Sequence, residues 1–500
     1  MSFAPIDSTL AKSVADKLDR LAKSFAAGYQ GIQNAGRTGI SALAAEQLDP
    51  VLRSITLEDK DFLLTKDIPT LKATQSVYQY TVKTAVRSGV DLAGWEAFLP
   101  QEDTSQYQRV AEVLKVYGIR KSITQMAMFI NEAGGYSVDI EKENDVNAAL
   151  AMAEALERDL YVGGDYFMDS SGALNPFVAA NVNGPIRQIR GIQANIREGD
   201  TSQRGIPGDF IGFGNNRSVV FDRKGGVLDR PFLDKIVTAV RDSRGAVREA
   251  HCTTSQLAEF RATFFPLERG NIADMYAIRG AGVTNDEHSK LPIDTVGGPV
   301  DFIPTVFKYM RTRPEPVLGS VGAPPATPAA SAALGAATSS PFVTGDTFNY
   351  RVQAVNISGI SQGSTPTPAT FAGGDSGKCV NVTITNEAGV EYYMVFRSPK
   401  ESSGAAGTEM FIGKILPTNG GTTVFLDNGR IVPGLDSVLF LPRDKNRAKL
   451  AVLGNLLNKL QLGVKGLAFE TVYASYCGCV VDRPRTFALA DNVFQQREGL

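Results

Sequence analysis

Histidine and tryptophan are nearly absent from this sequence: two histidines, His251 and His288, and one tryptophan, Trp95, in 500 residues. So few imidazoles leave little room for histidine-based metal or acid–base chemistry, although carboxylate chemistry needs none. Cysteine is almost as scarce. Cys252, Cys379, Cys477 and Cys479 are too few for a disulfide scaffold, and the one-residue spacing of the last two is not that of a redox or zinc site. No run of about 18 apolar residues occurs, so no membrane-spanning helix is expected. The opening segment, MSFAPIDSTLAKSVADKLDRLAKS, carries charges where a signal peptide needs an apolar stretch, which points to folding in a cytoplasm. An excess of one charge sign is missing too. With 51 Lys and Arg against 53 Asp and Glu, the net charge of −2 gives no support to a protein that grips phosphates over most of its surface.

What is present describes a folded chain of roughly two to four domains. Hydrophobic residues make up 43% and charged residues 21%, and the 49 glycines follow no collagen period. Leu10, Val14, Leu18, Leu21 and Phe25 draw an apolar stripe along one helix face, with Asp7 or Ser8 as its cap. That stripe has nothing of its own to pack on. Residues 50–73 read as an extended arm with one short helix around Glu58 to Leu64. Ser76 to Val86 alternates as a strand with Tyr78, Tyr80 and Val82 on one face, and Val110 to Thr124 returns as a second β-rich segment. The polar stretch between them holds Trp95. Together they predict a protruding β-hairpin that is mobile or lies on something else.

The strongest helix pattern is Glu141 to Gly164, with Val146, Ala149, Leu150, Ala153, Leu156 and Leu160 on one face and Gly163–Gly164 as its end. Pro231 to Arg241 and Thr254 to Phe264 also read as helices, and Ser218 to Phe221 as a strand. Glu315 to Pro341, almost all Ala, Pro, Gly and Ser, reads as a linker or solvated run. From about residue 342 to 433, five or so short alternating strands with Gly/Asn/Ser/Pro turns predict a small sandwich. Beyond Pro433, Ala448 to Lys465 reads as a helix broken near Gly454 or Gly463. Glu470 to Asp491 reads as strand, turn and strand. This tail belongs with the block before Pro314, which makes the sandwich an insertion.

No catalytic constellation emerges. Neighbours such as His251 and Cys252 are a structural pair rather than a couple brought together by the fold. His288 lies in the polar run TNDEHSKLP. Cys477 and Cys479 share one strand face, as core residues do. GDFIGFGNNR lacks the dinucleotide-binding spacing, and no GxxxxGK[ST], GxSxG or HExxH is present. Asp159 and Asp165 flank a helix end and can pair with arginines. The basic runs around Arg443, Lys445, Arg447 and Lys449, and around Arg187, Arg190 and Arg197, read as solvated patches without aromatic interleaving. Neither a cofactor nor a metal site is expected. The unusual feature is the number of pieces that bury their apolar residues only against a neighbour.

In order, these pieces resemble the major capsid proteins of tailed double-stranded DNA bacteriophages, with the α+β fold called Hong Kong 97-like. Residues 1–73 resemble the N-terminal arm, 74–124 (SVYQYTVK through VAEVLKVYGIRKSIT) the extended loop, and Glu141 to Gly164 the spine helix of the peripheral domain. Residues 125–314 and 434–500 resemble the peripheral and axial domains, 315–341 a linker, and 342–433 an immunoglobulin-like insertion. The resemblance implies a homo-oligomer of pentamers and hexamers closing an icosahedral or elongated head around DNA, bound without sequence specificity. It implies portal, scaffold or decoration partners, no membrane, and assembly in a bacterial cytoplasm into a virion. Leu10, Val14, Leu18, Leu21, Phe25, Tyr78, Tyr80, Trp95 and Phe98 are then the expected contacts between subunits. Three other readings stay open: an encapsulin-like nanocompartment shell, a tail or surface adhesin built on the sandwich, and a carboxylate-dependent hydrolase with an accessory β domain.

Overall fold

Among the described residues more lie in strands than in helices, and what separates the strands is which faces they bury. The computed structural model describes residues 62–85, 106–126, 129, 140–168, 172, 188–201, 218–243, 245–264, 291–306, 318–319, 324–337, 340–400, 405–442, 444–465 and 467–495. All of these belong to one unit, Leu57–Phe129 with Ile140–Leu500. The stripe from Leu10 to Phe25, most of the arm, Trp95, Phe98 and His288 lie outside the described residues.

In chain order the elements begin with α1 (Leu64–Asp67), β1 (Thr70–Ala73), β2 (Val77–Ala85), β3 (Gln106–Val113), β4 (Lys115–Thr124), α2 (Ile140–Val162) and α3 (Ile192–Thr201). Next come β5 (Val220–Asp222), α4 (Arg230–Asp242), β6 (Val247–Cys252), α5 (Thr254–Phe264), β7 (Leu291–Thr295) and β8 (Gly298–Pro304). The central stretch holds β9 (Leu318–Gly319), β10 (Ala330–Ala337), β11 (Thr347–Asn356), β12 (Gly359–Ile360), β13 (Thr367–Thr370), β14 (Lys378–Thr385), β15 (Tyr392–Arg397), β16 (Met410–Ile415) and β17 (Thr422–Asp427). The chain closes with β18 (Asp436–Pro442), β19 (Ala448–Leu453), β20 (Asn458–Lys465), β21 (Ala468–Val481) and β22 (Ala488–Val493). The result is a mixed α+β fold with several sheets and few helices.

One six-stranded sheet runs β5-β22-β18-β6-β8-β7, so strands from 220–304 and from 436–493 interleave. Helix α4 covers it for legible reasons. The Asp229 side chain accepts the Phe232 amide at 3.0 Å, Pro231 sits in the first turn, and Leu233, Ile236, Val237 and Val240 bury one stripe. Phe260 of α5 stacks on Phe302 of β8 with ring centroids 4.3 Å apart. A second sheet runs β1-β19-β21-β20, with β4 on the other side of β21. Between β8 and β18 lies a sandwich: β10-β14-β17 against β16-β15-β11-β12-β9, with β13 also on β11. Inside it, Val352, Tyr393, Val382, Ile384 and Phe425 belong to one buried cluster.

Several sequence expectations are corrected. Ala448 to Lys465 is not a broken helix but strands β19 and β20, joined through Gly454 at φ +82°. Strand β19 is buried on both faces, so its near-continuous apolar run carries no period that separates strand from helix. The expected linker contains an eight-residue strand, β10, paired with β14. Ala and Ser have low strand propensity, and the partner strand decides the outcome. Only the first part of the expected second strand stays in the hairpin. Strand β3 pairs with β2, the chain turns at Leu114, and β4 leaves to join β21. Most of the short helix expected around Glu58 to Leu64 lies outside the described residues; a helical turn occupies Leu64–Asp67, where Glu157 of α2 accepts the amides of Leu63, Leu64 and Thr65 at 2.7–3.1 Å. On α2 the buried line is Ala148, Met152, Leu156 and Leu160, whereas Val146 is 52% exposed. Arg197, expected in a solvated patch, is buried between Asp165 and Asp491.

Candidate assembly interface

Strand β21 is 14 residues long and organises a two-faced sheet. In antiparallel pairing, residues directly opposite share a face. The register places Ile119 of β4 beside Tyr473, and Lys459 of β20 beside the same tyrosine. This face is covered by α2. Ala148 and Met152 pack on Tyr473, with Tyr117 and Ile119 against them. The first turns of α2 are pinned by charge: Lys459 Nζ donates to Glu141 at 3.0 Å and to Asp145 at 2.8 Å, and the Tyr473 hydroxyl donates to Asp145. Burial opposes ionisation of Asp145, but the hydrogen bonds from Lys459 and Tyr473 outweigh it and hold the carboxyl below its ordinary range. Burial, reinforced by Asp145, pushes the Tyr473 phenol up to about 12.

On the opposite face the hairpin base packs only at the Ala451–Val480 end, and a stretch beyond it has no such cover among the described residues. Val116 stands opposite Tyr476, and Leu460 opposite Val472, in register with Arg120. Val116 is 59% exposed and Leu460 54%. Leu462, at the bulge between Gln461 and Gly463, is 58% exposed. At the far end of the sheet the Gln125 amide donates to Leu467 O at 2.7 Å, and Met126 and Leu467 there are 71% and 75% exposed. The ion pair of Arg120 and Glu470 crosses the same face. A leucine-rich surface with a charged pair on it is the composition of a contact between proteins, not of a solvated edge.

Of the expected contact residues, Tyr78 and Tyr80 are described. Their rings lie 6.2 Å apart, and both are half-buried against Ala73, Leu114, Ala451 and Val480 at the base of the hairpin. They pack on the same side of the sheet as Val116 and Leu460, at its Ala451–Val480 end. Leu10, Val14, Leu18, Leu21, Phe25, Trp95 and Phe98 lie outside the described residues. Sequence reading missed Leu460 and Leu462 because their segment was read as helical. The alternation Lys459-Leu460-Gln461-Leu462 was the available signal.

No catalytic grouping appears among the described residues. Among these residues no cluster of His, Cys, Asp and Glu is arranged to hold a metal, and no helix is long and apolar enough to cross a membrane. His251 is buried with Nδ1 at 2.6 Å from the Tyr161 hydroxyl, and all four cysteines are buried as thiols outside any disulfide. Asp159 is bonded by the Tyr117 hydroxyl, and burial raises its carboxyl above the usual range. The cavities are small: one of about 30 Å³ is lined by Leu64, Ile68, Ile192, Leu441 and Phe487.

No family model and no curated protein matches the chain. Solved structures do show similarity. A chain of the holo-SrpI encapsulin complex from Synechococcus elongatus PCC 7942 is 10% identical, over 93% of this chain and 99% of that one, with a TM-score of 0.38. The capsid of a native GTA particle is 10% identical, over 92% and 100%, with a TM-score of 0.40. A chain from Mycobacterium phage Ogopogo is 12% identical, over 91% and 99%, with a TM-score of 0.38. Similarity at this level does not by itself establish a shared fold or role.

Proposed function

We propose that this protein is a shell-forming structural protein, the major capsid protein of a tailed double-stranded DNA bacteriophage with a Hong Kong 97-like fold. The observation that carries self-association is the uncovered apolar part of the β4, β21 and β20 face opposite α2, with Val116, Leu460 and Leu462 in solvent. Monomeric proteins rarely leave such a surface open. The occupant is a second copy of the chain, because identical contacts repeated by rotation are the economical way to close a shell. The order of hairpin, spine-like helix α2 and inserted sandwich supports the capsid reading, as does the apolar stripe from Leu10 to Phe25. Pentamers and hexamers, a portal and a scaffold or decoration protein complete that reading, and DNA is enclosed rather than read. Strength would come from area summed over many copies, each contact being modest.

Negative-stain microscopy of the overexpressed protein and of native particles tests the proposal. Closed thin-walled shells holding DNA are expected. A subunit that stays a single compact molecule under every condition overturns the shell reading. Shells loaded with an enzyme instead of DNA overturn the viral half of it.

A further inference from the structure

One of the seams between the sandwich and the rest of the chain closes around a lysine, beside the edge-on contact of Tyr166 with Phe411 at 5.9 Å. Just after α2, Tyr166–Met168 runs alongside the edge of β16. The Lys414 amide donates to Tyr166 O, and the Met168 amide to Lys414 O, each at 2.8 Å. Phe167 bridges Lys414 in parallel and meets Tyr392 edge-on at 5.6 Å. Tyr166 adopts φ 63°, a left-handed conformation that a tyrosine takes only under constraint. From β16 the Lys414 side chain enters this seam and is 1% exposed. Its Nζ reaches Gln188 Oε1 at 3.1 Å, and the rings of Phe167 and Tyr392 lie 5.4 and 5.5 Å from it.

An ammonium has three protons to donate. Here it meets one neutral acceptor and two ring faces, and no carboxylate lies within 4.0 Å among the described residues. The acids that face it are engaged elsewhere. Asp159 of α2 accepts the Tyr117 hydroxyl from β4, and Asp165 is held by Arg197 of α3 at 2.9 Å. A buried charge so poorly compensated is costly, whereas the neutral amine fits the same space. We infer that docking of the sandwich on the body is coupled to a proton on Lys414: the seam closes more firmly when the amine is neutral and loosens when it is charged.

The direction follows from linkage. Burial pushes the docked Lys414 down to about 8, against an ordinary value of 10.5. Between those values the undocked state binds more protons, so raising the pH favours docking, and the gain is complete above the ordinary value. Across the whole window, about 2.5 pH units wide, the docking equilibrium shifts roughly three-hundredfold. Of the facing groups, Tyr117 is held protonated far above its usual range by burial, and Arg197 stays charged, so neither changes state in that window.

Hydrogen exchange read by mass spectrometry, corrected for base catalysis, tests this on the whole protein between pH 6.5 and 9. Peptides over 164–168 and 410–415 report the seam, and 378–385 reports the sandwich interior. Seam protection should rise with pH relative to the interior. In Lys414→Met it should be high and flat, and in Lys414→Arg low and flat. A flat wild-type profile, or an unchanged slope in Lys414→Met, overturns the inference. If the arginine variant does not fold, the comparison of wild type with methionine decides alone.

Discussion

Unlike Lys414, the buried charges of Arg397 and Glu157 are compensated by named partners, and removing one partner should cost more than removing both. Arg397 of β15 is buried in the sandwich, paired with Asp427 of β17, and donates to Ile431 O at 2.9 Å. Its guanidinium lies 4.9 and 5.3 Å from the rings of Phe342 and Phe348. The Tyr350 hydroxyl donates to the same aspartate at 2.9 Å, and burial raises that phenol well above its ordinary value. Asp427→Ala strands a buried guanidinium, and we expect a loss of about 3–5 kcal/mol. Replacing the pair by Arg397→Met with Asp427→Leu should recover most of it. Thermal unfolding of the three proteins checks the order. Glu157 is the other case. It is fully buried and accepts three amides at the start of α1. Glu157→Ala leaves those donors unmet, so a loss of about 2 kcal/mol is expected, with faster amide exchange at residues 63–65.

At the scale of elements, the tightest junction is where α2 ends and α3 begins. A Cβ on Gly191 would stand 2.5 Å from Asp159 O and 2.8 Å from Gly163 N. Backbone atoms cannot yield as a flexible side chain can, so Gly191→Ala should destabilise by about 1–3 kcal/mol. Gly373→Ala, with nothing within 4 Å, is the control and should stay near wild type in denaturant unfolding. The sequence announced α2, α4 and α5 because each carries a helical period and caps. It announced the sandwich strands because Phe348 to Asn356 and Lys378 to Thr385 alternate. It did not announce β10, whose alanines and serines become a strand only beside β14, or β19, whose apolar run fits either geometry. The Gly163–Gly191 contact was partly visible. The glycines were read as a helix end, but what they approach is set by a residue 28 positions later. Half of the candidate interface was illegible for the same reason: Leu460 and Leu462 reach one surface only once β20 pairs with β21.

For the whole molecule, the question is whether the exposed leucines are tolerated or used. If they are tolerated, polar replacements change neither stability nor association, because surface substitutions away from special features stay within about 0.5 kcal/mol. If they are used, the same replacements leave the subunit's melting unchanged and abolish assembly. Leu460→Glu combined with Leu462→Lys separates these outcomes. Leu460 pairs across β20 and β21 with Val472, and the partner strands keep their backbone hydrogen bonds whichever side chain stands there. The α2 side of the sheet, held by Lys459, Tyr473 and Asp145, is untouched. Placing a carboxylate and an ammonium in a contact that excludes water costs several kcal/mol per copy, and every copy in a closed shell bears that cost. Sedimentation should therefore show wild type in large particles and the double variant as small species. Thermal unfolding of the two subunits should coincide. Particles of normal size from the double variant would place the subunit contacts elsewhere, on the hairpin base around Tyr78 and Tyr80 or on the apolar stripe from Leu10 to Phe25.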